Sequence, residues 1–159
     1  MDHVTVYRWV QRFTPLLADA ARLCRHAVGD RWQVDETDVK VAGQWRYVYR
    51  AVDQFGQVID VFVSQQRDAA AAHRFSQRAI GAPKVSPVEV TTDQAPVYPA
   101  VLEERLRPMR GLKQDRIARV VIAGHALVQN IRRGHYELAV EEPTNRRLAV
   151  AFEELILAI

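Results

Sequence analysis

The sequence predicts an α/β fold with a mixed sheet of three antiparallel strands and a parallel fourth, flanked by helices. Three consecutive segments rich in aromatic and β-branched residues are joined by turns short enough to require antiparallel hairpins. A whole helix then separates the third segment from a fourth, and such a crossover joins parallel strands. With 159 residues, 48% of them hydrophobic, the chain is long enough for one domain with a buried core.

The first segment is predicted to be helical because apolar residues recur at steps of three and four along residues 6–24. Thr14 followed by Pro15 matches a side-chain N-cap with proline at the first helical position. We therefore predict one short helix that ends near Phe13 and a second helix from Pro15 towards His26.

The strands are predicted from alternation of apolar and polar residues. The first three cover residues 31–37, 44–52 and 57–64, with turns at Ala42-Gly43 and at 53–56. Asp68 is predicted to cap a helix that buries Ala72, Phe75 and Ala79, and a fourth strand covers 87–92. Further helices are predicted at 98–104, at 115–133 and from Thr144 to the end of the chain.

Charge is distributed unevenly along the chain. The net charge is only +3, and 19 of the 22 basic residues are Arg. Residues 105–133 contain eight Arg or Lys and only one acid, Asp115, which predicts a polyanionic partner. The single cysteine, Cys24, excludes an internal disulfide framework, and no apolar run has the length of a membrane span. We expect a soluble, intracellular protein with no membrane partner.

Two aspartates are candidate functional residues. Asp35 lies inside the first predicted strand, and Asp93 follows the fourth. An acid inside a strand loses hydration and is usually retained because a cation binds it. Spacing alone leaves two interpretations open, a metal site or a salt-bridged Asp35 beside a turn-forming Asp93.

Five segments carry a family resemblance: Asp35-Glu36-Thr37, Val39-Lys40-Val41, Trp45–Asp53, Thr91-Thr92-Asp93 and Arg107-Pro108-Met109-Arg110-Gly111. With them the chain resembles bacterial DDE transposases of the insertion sequence six group over nearly its whole length. The resemblance implies a ribonuclease H-like fold, with Asp35 and Asp93 as catalytic residues and ligands of Mg²⁺ or Mn²⁺. It also implies transposition, recombination and integration of DNA by metal-dependent phosphoryl transfer, in which carboxylates hold two divalent ions.

The chain departs from the family pattern after the second aspartate. Family members carry there a further strand and a helix start with a third acid, a glutamate, whereas here Glu104 runs directly into Arg105. We interpret this as an internal deletion near 104–105 in a truncated copy, and we expect impaired catalysis. Glu103 and Glu104 are interpreted as an exposed helical acid pair, with replacement of the third ligand by one of them left open.

Residues 4–10 resemble the recognition helix of the helix-turn-helix that precedes the catalytic domain in this family. The resemblance divides the chain into a helical remnant of that DNA-binding region and its linker helix, 1–28, and a DDE catalytic domain, 29–159. An amphipathic helix that packs on the sheet is the alternative for the first segment.

The implied partners are double-stranded DNA, both transposon ends and target, and a second copy of the chain or an intact transposase. The candidate DNA-binding residues are basic side chains of one segment: Arg105, Arg107, Arg110, Lys113, Arg116 and Arg119. A non-catalytic remnant that binds DNA or oligomerises, and a metal-dependent nuclease, are the alternative functions.

Overall fold

The structure is a computed structural model that describes residues 3–83, 85–92 and 114–159. Its helices are α1 (His3–Ala21), α2 (Ala69–Gly81), α3 (Asp115–Arg132) and α4 (Thr144–Ile156), with a 3₁₀ turn at Arg22–Cys24. Its strands are β1 (Arg31–Val41), β2 (Gln44–Asp53), β3 (Val58–Ser64) and β4 (Glu89–Thr92). The predicted helix at 98–104 lies outside the described residues.

The four strands form one sheet in the order β3-β2-β1-β4. The β1–β2 and β2–β3 pairs are antiparallel, and the β1–β4 pair is parallel. The predicted mixed sheet of three antiparallel strands and a parallel fourth is thereby confirmed. Strand β1 continues to Val41, beyond the predicted end, because residues 38–41 pair with residues 44–47 across the hairpin. Strand β4 begins at Glu89 rather than Pro87, whose nitrogen has no hydrogen to donate to a ladder.

The β1–β2 connection is a two-residue turn that fixes the register of the hairpin. Ala42 and Gly43 both have positive φ, 50° and 81°, as a twisted two-residue hairpin requires. The flanking residues Val41 and Gln44 are the first pair of the ladder. Every later pairing of β1 with β2 follows from this turn.

The described chain divides into two compact units. One of them is Val28–Arg119, which contains the sheet and α2. Its main core cluster includes Trp32, Tyr49 and Phe75. The Asp68 carboxylate caps α2 by accepting a hydrogen bond of 2.7 Å from the Ala71 nitrogen.

Helix α2 buries one narrow stripe against the sheet. The stripe contains Ala71, Phe75 and Ala79, whereas Ala72 is exposed, so the predicted burial of Ala72 is wrong. Residues four apart stay on one face of a helix, and the residue after Ala71 lies about 100° further round.

The other unit combines Met1–Ala27 with Val120–Ile159. Its core includes Ala21, Ile131, Ala151 and Leu155. Helix α1 is continuous through Pro15, so the predicted division into two helices is wrong. Proline in a helix costs about 3 kcal/mol, and packing of the following turns against this core offsets that cost.

The helix-turn-helix remnant and the division at residues 28 and 29 stay predictions. Residues 3–24 form α1 and the 3₁₀ turn, and the relation of that segment to a DNA-binding region is a matter of family resemblance. Within the described ranges, no helix combines the length and the apolar character that a membrane crossing requires.

Candidate functional site

Asp35 lies in the middle of β1, directly opposite Arg50 on β2. The Arg50 Nε atom donates to Asp35 Oδ1 at 3.2 Å, and Arg50 Nη2 donates to Asp35 Oδ2. The side chains are only 13% and 23% exposed for Asp35 and Arg50. The structure therefore contains Asp35 in an ion pair, as the second interpretation predicts. Its two hydrogen bonds have the two-point geometry that suits guanidinium and carboxylate groups.

Arg50 is not among the residues predicted from the sequence, although the hairpin turn contains the necessary signal. Counting six residues outward from the Val41–Gln44 pair leads to Asp35 on one strand and Arg50 on the other. A two-residue turn at Ala42-Gly43 therefore fixes this ion pair before any side chain is placed.

The neighbouring acid Glu36 points to the opposite face of the sheet, because side chains alternate along a strand. Its Oε1 atom lies 2.7 Å from Arg67 Nε. Burial raises the pKa of Tyr49, the cross-strand partner of Glu36, and the Glu36 charge raises it further. Glu36 therefore belongs to the face that α2 covers and is separate from Asp35.

Strand β4 ends close to the first predicted site residue, Asp35. Val34 pairs with Thr92, which is the last residue of β4. The residues that follow this pair in the sequence are Asp35 and Asp93. Asp93 itself lies outside the described residues.

Arg46, which lies on β2 like Arg50, forms a second ion pair that resembles the Asp35–Arg50 pair. Arg46 Nε donates to Asp115 Oδ1 at 2.7 Å, and Gln65 Nε2 donates to Asp115 Oδ2 at 2.7 Å. These hydrogen bonds, from Arg46 first, hold the pKa of Asp115 below its ordinary value. Asp115 also lies in the first turn of α3, where the helix dipole favours a negative charge. This pair connects the start of α3 to the sheet.

Asp53, at the end of β2, is a buried acid that organises the turn into β3. Its carboxylate accepts hydrogen bonds from the backbone nitrogens of Gly29, Phe55 and Gln57, at 3.0, 3.0 and 2.9 Å. Aspartate commonly bonds the backbone two residues ahead, so the turn at 53–56 carried a signal for this role. Asp53 is thereby explained as a structural residue.

Two of the predicted DNA-binding residues, Arg116 and Arg119, lie in the part of the chain that the structure describes. Both are exposed, and they lie three residues apart in the first turns of α3, which places them on neighbouring positions of one helix face. Arg105, Arg107, Arg110 and Lys113 lie outside the described residues.

Asp35 suits a hard divalent cation in its chemistry. Carboxylate oxygens are the preferred ligands of Mg²⁺ and Mn²⁺, and each oxygen has two lone pairs, one of which faces Arg50. Within residues 3–83, 85–92 and 114–159, no three His, Cys, Asp or Glu side chains converge on one point. Of the two predicted metal ligands, Asp35 lies in the described part of the chain and Asp93 does not.

The fold and Asp35 agree with a family match. Residues 29–104 match the family model described as a DDE domain. The chain is 36% identical over 118 residues to the transposase for insertion sequence-like element IS431mec of Staphylococcus aureus strain Mu50. It has the same identity to the transposase for insertion sequence element IS257 in transposon Tn4003 of Staphylococcus aureus. Over this range the chain is therefore similar to the DDE domain of bacterial insertion-sequence transposases.

Coverage of these relatives is partial. The alignment includes 72% of this chain and 50% of each of the two transposases, so the chain spans about half their length. An uncharacterised protein of Yersinia pseudotuberculosis is 37% identical over 49 residues.

Two solved structures are also similar. The HTLV-2 integrase catalytic core domain in complex with magnesium has a TM-score of 0.39 and 16% identity, and the match covers 80% of this chain and 85% of that one. A chain of the simian T-cell lymphotropic virus intasome in complex with PP2A regulatory subunit B56 gamma has a TM-score of 0.38 and 17% identity. The second match covers 80% of this chain and 48% of that one.

Proposed function

We propose that this chain carries the catalytic core of an insertion-sequence transposase, which cuts and joins DNA strands by metal-dependent phosphoryl transfer. The observation that carries the proposal is the parallel pairing of Val34 with Thr92, because Asp35 and Asp93 follow these two residues. Consecutive Cα atoms are 3.8 Å apart, so Asp35 lies one residue beyond the pair at which β4 ends. The family match over residues 29–104 supports the same assignment.

Asp35 and Asp93 are the proposed ligands of Mg²⁺ or Mn²⁺. A divalent ion, when bound, supplies positive charge for the phosphodiester and for the oxygen that attacks or leaves. The contribution of the chain is to hold Asp35 rigidly, since β1 pairs with β2 at Asp35 itself and with β4 as far as Val34, the residue before it. Rigid placement matters because phosphoryl transfer depends on positioning and on electrostatic stabilisation.

We further propose that catalysis is impaired. The family pattern requires a third acid, and Glu104 is followed directly by Arg105 where relatives carry that acid. In addition, both Asp35 oxygens already accept hydrogen bonds from Arg50. A site with two carboxylates, one of them paired with an arginine, compensates the charge of two divalent ions poorly.

The proposed DNA contacts are made by the basic segment from Arg105 to Arg119. Arg116 and Arg119 support this proposal because they are exposed and adjacent on α3. Such contacts to phosphates position the duplex without reading its sequence. Double-stranded DNA and a second copy of the chain, or an intact transposase, are the proposed partners.

The test is cleavage of a labelled duplex that carries the terminal repeat of the element, in Mg²⁺ and in Mn²⁺. The unmodified chain is compared with Asp35→Ala and with Asp38→Ala, a matched control that removes an exposed acid from the same strand. A fourth chain carries the strand-and-helix block of its relatives, inserted between Glu104 and Arg105.

The proposal predicts slow, end-specific cleavage by the unmodified chain. Mn²⁺ and the inserted block should each increase the cleavage rate, and Asp35→Ala should abolish cleavage. Cleavage that survives Asp35→Ala contradicts the proposed site. Nicking without end specificity indicates a nuclease. Binding of DNA without cleavage by any of the four chains indicates a non-catalytic remnant, an alternative that the Asp35–Arg50 pair favours.

A further inference from the structure

The Asp35–Arg50 pair is built into the framework of the sheet. Its two residues are direct cross-strand partners, β1 is paired on both sides, and β2 is paired with β1 and β3. Neither backbone segment can shift without breaking ladder hydrogen bonds. The fold therefore keeps the Arg50 side chain within reach of the Asp35 carboxylate.

The pair engages one lone pair on each of the oxygens that a metal ion needs. Arg50 donates one hydrogen bond to each oxygen of Asp35. A divalent cation bound to the same carboxylate brings two further positive charges close to the guanidinium group. At 13% and 23% exposure, water screens the two side chains weakly, so the repulsion between the cations is strong.

We propose that Arg50 is the internal counter-ion of Asp35, which competes with a divalent cation for the carboxylate oxygens and thereby lowers the metal affinity of the site. The proposal rests on the proposed function in one respect, because it takes Asp35 as a metal ligand. Arg50 compensates the half-buried Asp35 charge while no cation is bound, and it leaves the carboxylate when a cation binds.

A positioning role for Arg50 predicts the opposite sign. Hydrogen bonds to a ligating carboxylate often orient it and strengthen metal binding, so removal of such a partner weakens the metal site. The sign of the change in metal affinity after substitution of Arg50 therefore separates competition from positioning.

Arg46 provides a matched control. It lies on the same strand as Arg50, four residues away and on the same face, and its ion pair with Asp115 has side chains that are 13% and 23% exposed. Arg46→Gln removes the same charge and a comparable ion pair, and it leaves Asp35 and Arg50 intact.

The experiment is titration of the full chain, without DNA, with Mn²⁺, and free Mn²⁺ is measured by electron paramagnetic resonance. Relative to the unmodified chain, Arg50→Gln is expected to bind Mn²⁺ about tenfold more tightly, a change of the size typical for groups around metal ligands. Arg46→Gln is expected to leave the affinity within about twofold, because Arg46 lies four residues along β2 from Arg50, at about 3.4 Å per residue. The double substitution Asp35→Asn with Arg50→Gln is expected to lose the tight binding.

Weaker or unchanged Mn²⁺ affinity in Arg50→Gln overturns the proposal, as does binding that persists in the double variant. If Arg50→Gln does not fold, the Nε–Hε resonance of Arg50 is followed in the unmodified chain during titration with Mg²⁺. Competition predicts that this resonance shifts as Mg²⁺ saturates the site, and an unmoved resonance at saturation overturns the proposal. The Mn²⁺ titration contains no DNA. Absence of cleavage in the separate DNA assay therefore refutes the proposed function and leaves the measured Mn²⁺ affinities unaffected.

Discussion

Substitution of Asp53 by alanine is the sharpest test of how the sheet is held together. Asp53 is 5% exposed, and its carboxylate accepts three backbone hydrogen bonds, from Gly29, Phe55 and Gln57. The bond to Gly29 connects the chain before β1 to the end of β2. Alanine removes all three bonds and leaves three backbone donors near a buried position.

The magnitude follows from the number of bonds. A hydrogen bond to a charged group contributes about 1.5–3 kcal/mol, and water replaces part of that contribution at the exposed turn. We therefore expect Asp53→Ala to lower the free energy of unfolding by about 3–5 kcal/mol. With a urea m-value of about 2 kcal/mol per molar, the midpoint falls by roughly 2 M.

The assay is urea unfolding followed by the fluorescence of Trp32, in a background where Trp9 and Trp45 are replaced by phenylalanine. Trp32 is buried, and its Nε1 atom donates to the Gly29 carbonyl at 2.7 Å, so its emission reports on this region. Asp38→Ala, at an exposed position of β1, is the control and is expected to change stability by less than about 0.5 kcal/mol. A loss below about 1 kcal/mol for Asp53→Ala, the size of one ordinary hydrogen bond, refutes the reasoning.

Three further predictions concern pH, DNA and the hairpin. Pairing with Arg46 lowers the pKa of Asp115 in the folded state. The stabilisation by ionised Asp115 is therefore complete above about pH 4, and it is lost as the pH falls through the lowered pKa. Asp115→Asn should therefore destabilise the chain at neutral pH in urea titrations, and the difference should vanish in acid; a constant difference contradicts this. Replacement of Arg116 and Arg119 by glutamine should reduce the slope of log affinity against log salt for duplex DNA by about two, and an unchanged slope places the DNA elsewhere. Ala42→Asn should raise the urea midpoint, because asparagine tolerates the φ of 50° better than alanine does. Gly43→Ala should lower the midpoint. A lower midpoint for Ala42→Asn together with a higher one for Gly43→Ala excludes the positive-φ turn.

The sheet was predictable because its signals are local. Alternation of apolar and polar residues set the strands, and the short turn at Ala42-Gly43 set the first hairpin. A crossover helix between the third and fourth strands required a parallel β4, as the structure confirms. The prediction failed at Pro15, where a local signal to end the helix competes with packing of α1 against residues distant in sequence.

The candidate site was predictable in part. The place of Asp35 on an inner strand followed from pattern, and its partner Arg50 was encoded in the hairpin register. The contact between Arg46 and Asp115 joins residues 69 positions apart, and no periodicity encodes such a pair. Roles for Asp35 and Asp93 in metal binding came from resemblance, because strand pattern alone does not distinguish a metal ligand from half of an ion pair.

We propose that Asp35 and Asp93 together hold a divalent cation. Anomalous diffraction from crystals of the full chain soaked in Mn²⁺ tests this proposal. A shared site gives an anomalous peak about 2.1 Å from a carboxylate oxygen of Asp35 and at the same distance from one of Asp93, the bond length of a hard divalent cation to oxygen. A peak away from Asp35, or an Asp93 carboxylate on the opposite face of the sheet, contradicts it.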